Sequence, residues 1–214
     1  MSNLNNKIWY TDSDPELLTK LKKRVQQILL SEAKAAHGVG LTPNIISVLG
    51  FVLSLFSAAL YGIGSGLSWM LFLAFVLLLA SGFCDTLDGA IARNYQQATP
   101  FGGFLDSLLD RYSDAIVIAG VIVGGLCDPI SGLAVLIGSL LVSYSRARAE
   151  ASGIKMESIG IAERPERVLI LAAATLIGIF WLPALEGGII LLAVLTNLTV
   201  LQRGIHAYKS LKKM

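Results

Sequence analysis

The sequence predicts an all-α integral membrane protein, with six transmembrane helices preceded by an N-terminal amphipathic interfacial helix. Three observations carry this expectation. Of the 214 residues, 54% are hydrophobic and 15% are charged, whereas a soluble domain carries about 25% charged residues; the mean hydropathy is +0.68. Apolar runs of about 20 residues, enough to cross the hydrocarbon core of a bilayer, recur along the chain. Finally, all 17 lysines and arginines fall on one side of a six-span arrangement, and the positive-inside rule makes that side, with both termini, cytoplasmic.

Residues 1–40 differ in kind from the rest, and the chain divides into this cytoplasmic segment and a six-span domain over 41–214. The opening MSNLNNKIWYTDSDPE lacks the basic-then-apolar pattern of a secretory signal. Ser13 or Asp14, Pro15 and Glu16 form a helix start signal. Leu17, Leu18, Leu21, Val25, Ile28 and Leu29 then follow at helical spacing, with Lys20, Lys22, Lys23 and Arg24 among them. This helix, over about 14–38, is too polar to span and suits the headgroup region; the same pattern also fits a soluble helix packed on the protein itself.

The expected spans cover about 44–63, 68–92, 102–126, 130–148, 167–182 and 186–206. Tight loops at 64–67, 127–129 and 183–185 separate the ends that carry no basic residue. Cys84 and Cys127 show no metal-site or redox spacing. They fall near opposite membrane faces, so no disulfide between them is expected. The chain has no internal repeat, and nothing in it points to nucleic acid as a partner.

One stretch breaks the apolar pattern: DTLDGAIARNYQQATPFGGFLDSLLD, from Asp85 to Asp110. Asp85 and Asp88 are three apart, and Asp106 and Asp110 are four apart, so each pair shares a helix face. The first pair lies near the cytoplasmic end of the second span and the second pair one or two turns into the third. An antiparallel helix pair would bring them together. Four facing carboxylates repel unless a cation sits among them, and all-oxygen ligation suits a hard divalent ion such as Mg2+, Mn2+ or Ca2+. Four carboxylates can share two ions. Gly89, Ala92, Gly102 and Gly103 leave room for helices and a ligand to approach closely, and Arg93 offers a planar cation suited to phosphate. The stretch therefore points to a phosphate-bearing substrate handled at the membrane surface. The residues alone also allow a structural polar network or a cation pathway, and a divalent metal-ion transporter remains the rival class; Arg93 argues against that rival, since a fixed cation repels a permeating one.

The stretch resembles the signature of the CDP-alcohol phosphotransferase family, D-x-x-D-G-x-x-A-R-x8-9-G-x3-D-x3-D. Asp85, Asp88, Gly89, Ala92, Arg93, Gly102, Asp106 and Asp110 match its eight fixed positions. The resemblance implies transfer of a phosphatidyl-type group from a CDP-linked lipid to an alcohol, with release of CMP. It further implies that Asp85, Asp88, Asp106 and Asp110 hold two Mg2+ or Mn2+ ions, and that Asp110 is also the catalytic base toward the acceptor hydroxyl. Gly89, Arg93 and Thr99, with Asn44 and Ser47 from TPNIIS, would contact the CDP-lipid, which is CDP-diacylglycerol or CDP-archaeol. Family members are homodimers, so the same is expected here.

A second stretch, SYSRARAEASGIKMESIGIAERPERVLIL, interleaves Arg146, Arg148, Arg164 and Arg167 with Glu150, Glu163 and Glu166. That pattern reads as a held network beside the aspartates, able to bind a second anion. Its ARAEASG and ERPER segments are similar to those of the branch that makes phosphatidylinositol phosphate and archaetidylinositol phosphate. Inositol 1-phosphate is then the implied acceptor, its phosphate bound by Arg146, Arg167 and Arg203. Arg146 departs from the lysine of that branch, which keeps the charge and widens the geometry. Glycerol 3-phosphate or another polyol phosphate stays open as the acceptor.

Overall fold

The computed structural model describes residues 30–63, 67–156 and 159–212. Six long helices follow a helical stretch over 30–38: α1 (Pro43–Ile63), α2 (Ser68–Asn94), α3 (Pro100–Val123), α4 (Pro129–Glu150), α5 (Arg164–Gly178) and α6 (Pro183–Leu211). No strand occurs among the described residues. Proline sits in the first turn of α1, α3, α4, α5 and α6, where its missing N–H has no intrahelical partner to lose. Thr99 caps α3 by accepting from the Gly102 N–H at 3.0 Å, and Asp128 caps α4 by accepting from Ile130 and Ser131.

α1, α2, α4 and α6 are each long and apolar enough to cross a membrane. α3 carries Asp106, Asp110, Arg111 and Asp114, and α5 has only 15 residues. Four expected boundaries move. α3 stops at Val123, short of residue 126, because the chain turns through Gly125 at φ +64°. α5 starts at Arg164 and ends at Gly178, short of 182, and the loop expected at 183–185 falls at 179–182, since Pro183 opens α6. The interfacial helix expected over 14–38 lies mostly outside the described residues, as does most of the loop expected at 64–67.

The helices form a closed ring. α1 packs on α2 and α3, α3 on α4, α4 on α6, α6 on α5, and α5 back on α2. The sequence suggested that α2 and α3 pair directly; instead both pack chiefly on α1. The reason lies in small residues. A Cβ on Gly120 would strike the Ala58 carbonyl, and one on Gly124 the Tyr61 carbonyl, so these two glycines bring the α3 backbone onto α1. Ser54 bonds Ser113 across the same interface at 2.9 Å, Ser57 donates to the α2 carbonyl of Ala74, and Tyr61 pairs with Thr175 of α5 at 2.7 Å. Buried hydroxyls thus tie α1 to three neighbours where apolar burial alone would not distinguish helix from lipid.

The N-terminal ends of α1, α3 and α5 and the C-terminal ends of α2, α4 and α6 meet at one end of the ring, as the contacts of Ser47 with Asp88 and of Arg203 with Glu163 require. At the opposite end the Asp128 N–H donates to Glu186 at 2.6 Å and Ser68 to the Ile179 carbonyl. No lysine or arginine among the described residues lies at that second end. The described protein is therefore a multi-pass helical bundle with one densely charged end, which holds every described lysine and arginine. Stretch 30–38 closes over that end: Ala33 packs with Ile46, Leu87, Ala90 and Ile91, and His37 stacks on Tyr95 with ring centroids 3.9 Å apart.

Candidate active site

At the charged end α2 presents Asp85 and Asp88, and α3 presents Asp106, Asp110 and Asp114 at intervals of four residues along one face. Asp85, Asp88 and Asp106 each place a carboxylate oxygen within 4.8 Å of the others. Such a set of hard, anionic oxygens fits a divalent cation. Asp88 is buried and accepts a 2.5 Å hydrogen bond from Ser47 Oγ, so α1 orients this carboxylate from behind. Asp110 stands outside the three. Its Oδ1 lies 2.9 Å from Arg164 Nη1, and the same nitrogen is 2.7 Å from Asp85 Oδ2.

Two pockets flank the aspartates. The first, with about 600 Å3 of open space, is lined by Asn44, Ser47, Gly89, Arg93 and Thr99 together with Asp88 and Asp106. It thus gathers every residue expected to contact the CDP-lipid. Gly102 packs closely there: a Cβ would meet the side-chain oxygens Asn44 Oδ1 at 2.9 Å and Thr99 Oγ1 at 3.0 Å, which would have to shift, while one on Gly103 would project into open space. The wall at residues 95–99 is set by Gln96 at φ +54° and by Gln97, whose amide lies 3.5 Å from His37 Nδ1.

The second pocket, with about 680 Å3 of open space, is lined by Arg146, Arg167 and Arg203 together with Asp85 and Asp110. The three arginines differ in how they are held. Arg203, 2% exposed, donates to the Ile159 and Val142 carbonyls at 2.7 and 2.6 Å and to Glu163 at 3.1 Å. Arg167 is buried, bonding the Ala162 carbonyl and Asp114. Arg146 stands at the rim against Glu150 at 2.9 Å, with Glu163 at 3.9 Å. Glu163 therefore ties Arg146 of α4 to Arg203 of α6, while Glu150 pairs with Arg146 of its own helix.

Sequence reasoning left out Asp114, and gave Arg164 a place in the arginine network without its contacts to the aspartates. Asp114 continues the four-residue stripe of Asp106 and Asp110, and Arg164 lies three before Arg167, so both signals were present. Arginines in the first turn of a helix oppose its dipole. Carboxylates of α2 and α3 compensate: Arg164 reaches Asp85, Asp110 and, at 3.6 Å, Asp114, and Arg167 reaches Asp114.

Comparison with known proteins bears on this arrangement. The family model described as CDP-alcohol phosphatidyltransferase matches residues 40–200. The chain belongs to that family. It is a CDP-alcohol phosphotransferase, and this sets aside the transporter reading. An archaetidylinositol phosphate synthase of Methanothermobacter thermautotrophicus is 44% identical over 178 residues, covering 83% of this chain and 88% of the relative. A phosphatidylinositol phosphate synthase of Mycolicibacterium smegmatis is 39% identical over 203 residues, covering 89% and 88%. Among solved structures, the phosphatidylinositol phosphate synthase of Mycobacterium tuberculosis with CDP-DAG bound superposes with a TM-score of 0.74 at 34% identity, covering 85% of this phosphotransferase and 94% of that chain. The same enzyme in complex with manganese and citrate gives 0.73 at 34% identity, covering 84% and 88%.

Proposed function

We propose that this phosphotransferase moves a phosphatidyl-type group from CDP-diacylglycerol or CDP-archaeol to inositol 1-phosphate, releasing CMP. The observation that carries the reading is the pair of pockets on either side of the aspartates, one lined by signature residues of the family and the other rich in arginine, Arg146, Arg167 and Arg203 included. The names of the relatives support the acceptor.

The nucleotide and pyrophosphate of the CDP-lipid occupy the pocket of Asn44, Ser47, Gly89, Arg93 and Thr99, with Arg93 facing phosphate. Asp85, Asp88 and Asp106 would hold one divalent ion, and Asp110 would join Asp85 on a second, each being Mg2+ or Mn2+. When bound, these ions supply neutralising charge for the pyrophosphate and the departing CMP, the main requirement of phosphoryl transfer. Arg146, Arg167 and Arg203 hold the acceptor phosphate and aim its hydroxyl at the phosphorus. Asp110 takes the hydroxyl proton as the new O–P bond forms and the bond to CMP breaks. An ionised carboxylate beside cations is a weak base, so positioning supplies much of its effect.

The same reading places six spans in the membrane, with both termini and the site on the cytoplasmic side, an interfacial helix over 14–38, the catalytic domain over 41–214, and a homodimer as the working unit. The test is direct. Purified protein receives a CDP-lipid, Mn2+ or Mg2+ and labelled inositol 1-phosphate, and CMP release and lipid-soluble label are measured. Absence of CMP with any phosphorylated acceptor would refute the reaction, and label from glycerol 3-phosphate alone would reassign the acceptor.

A further inference from the structure

Asp85, Asp88, Asp106, Asp110 and Asp114 outnumber the guanidinium groups that pair with them, and those groups are unevenly placed. Asp88 and Asp106 have no arginine within ion-pair distance among the described residues, whereas Arg164 Nη1 sits between Asp85 and Asp110 at 2.7 and 2.9 Å. These contacts are Coulombic rather than directional, because Nε and Nη1 of Arg164 make no aligned hydrogen bond. What Arg164 supplies to Asp85 and Asp110 is therefore positive charge, which a divalent cation would also supply. Arg164 also lines the cleft beside the aspartates and, through the same side chain, the pocket of Arg146, Arg167 and Arg203.

We infer that Arg164 is a built-in counter-cation of Asp85 and Asp110, and that a second divalent ion is held by these two carboxylates only as Arg164 swings from them into the neighbouring phosphate pocket. Asp85, Asp88 and Asp106 bind a first ion without this exchange. Arg164 then serves two states. Before loading it keeps Asp85 and Asp110 from repelling each other, and after loading it turns its charge from them toward Arg146, Arg167 and Arg203, where the acceptor phosphate arrives. Loading the second ion and completing the acceptor pocket become one event. The inference rests on the proposed two-ion reading of the aspartates.

The experiment is a Mn2+ titration of the full-length protein in detergent, by calorimetry and by electron paramagnetic resonance of free Mn2+. Wild-type protein should bind one ion tightly and a second at least tenfold more weakly. Arg164→Gln should tighten the second ion about tenfold and leave the first unchanged, and Asp88→Asn should lose the first. A second constant that is unchanged or weakened in Arg164→Gln overturns the inference. In case that variant does not fold, wild-type protein is labelled with phenylglyoxal and mapped by mass spectrometry. Mn2+ at concentrations that fill the second position should raise modification of Arg164 but not of Arg167; equal modification with and without Mn2+ also overturns it. If wild-type protein binds no Mn2+, the metal reading itself fails, an outcome distinct from bound Mn2+ that ignores Arg164.

Discussion

Ser47→Ala tests whether α1 organises the metal site or only the nucleotide pocket. Ser47 Oγ lies 2.5 Å from Asp88 Oδ2 and 3.1 Å from the Pro43 carbonyl; with one proton to donate, the hydroxyl serves the carboxylate. Asp88 is 5% exposed, so water has limited access to replace the lost donor. A hydrogen bond to a charged group contributes about 1.5–3 kcal/mol, which is about 10–150-fold in an equilibrium constant. Loss of an outer-sphere partner of a metal ligand lowers affinity about 10–100-fold, in agreement. The expected result is a loss of Mn2+ affinity of about tenfold or more, read from free Mn2+ over the purified variant, with CDP-lipid affinity measured separately. An unchanged Mn2+ constant would refute the reasoning, and a fall confined to CDP-lipid affinity would place Ser47 in the nucleotide pocket alone.

Three further outcomes are expected. Asp110→Asn should abolish CMP release while Mn2+ binding to Asp85, Asp88 and Asp106 and CDP-lipid binding persist; equal loss of CDP-lipid binding would make Asp110 chiefly a ligand. Arg203→Lys keeps the charge, but its single nitrogen cannot reach Ile159, Val142 and Glu163 together. Leaving one buried acceptor unpaired costs about 1–3 kcal/mol, so the thermal midpoint in detergent should fall, and an unchanged midpoint would limit Arg203 to the substrate. Cys127, in the α3–α4 loop, has its thiol pushed up to about 11, first by burial and then by Glu186 and Asp128. At pH 7.5 it presents roughly 300-fold less thiolate than a free cysteine of pKa about 8.5, so maleimide labelling should be slow at that pH and accelerate as pH rises toward 11. Rapid labelling at pH 7.5 would contradict the buried placement.

Much of the fold is legible in linear order. Hydropathy locates α1, α2, α4 and α6 within a few residues, because a bilayer sets helix length and composition together. α3 and α5 are harder, since carboxylates interrupt one and the other is short, and their ends shift where Gly125 and Pro183 act locally. Asp114 shows why periodicity needs a context. It lies on the stripe of Asp106 and Asp110, yet only its contacts with Arg164 and Arg167 distinguish it from a further solvated acid.

The residue types and spacings in DTLDGAIARNYQQATPFGGFLDSLLD by themselves point to divalent-cation and phosphate chemistry, because paired carboxylates, an arginine and small residues fall within a turn or two of helix, while they leave a polar network or a cation pathway open. The basic residues likewise determine which ends of the spans lie together, since charge cannot cross the membrane at low cost. Only the tertiary structure decides that α1 rather than α3 is the main partner of α2, that Ser47 stands behind Asp88, and that Arg164 bridges Asp85 and Asp110. Those are contacts between residues 41, 79 and 54 positions apart. They depend on which helices meet, as where Gly120 and Gly124 bring α3 onto α1, and no local propensity encodes them.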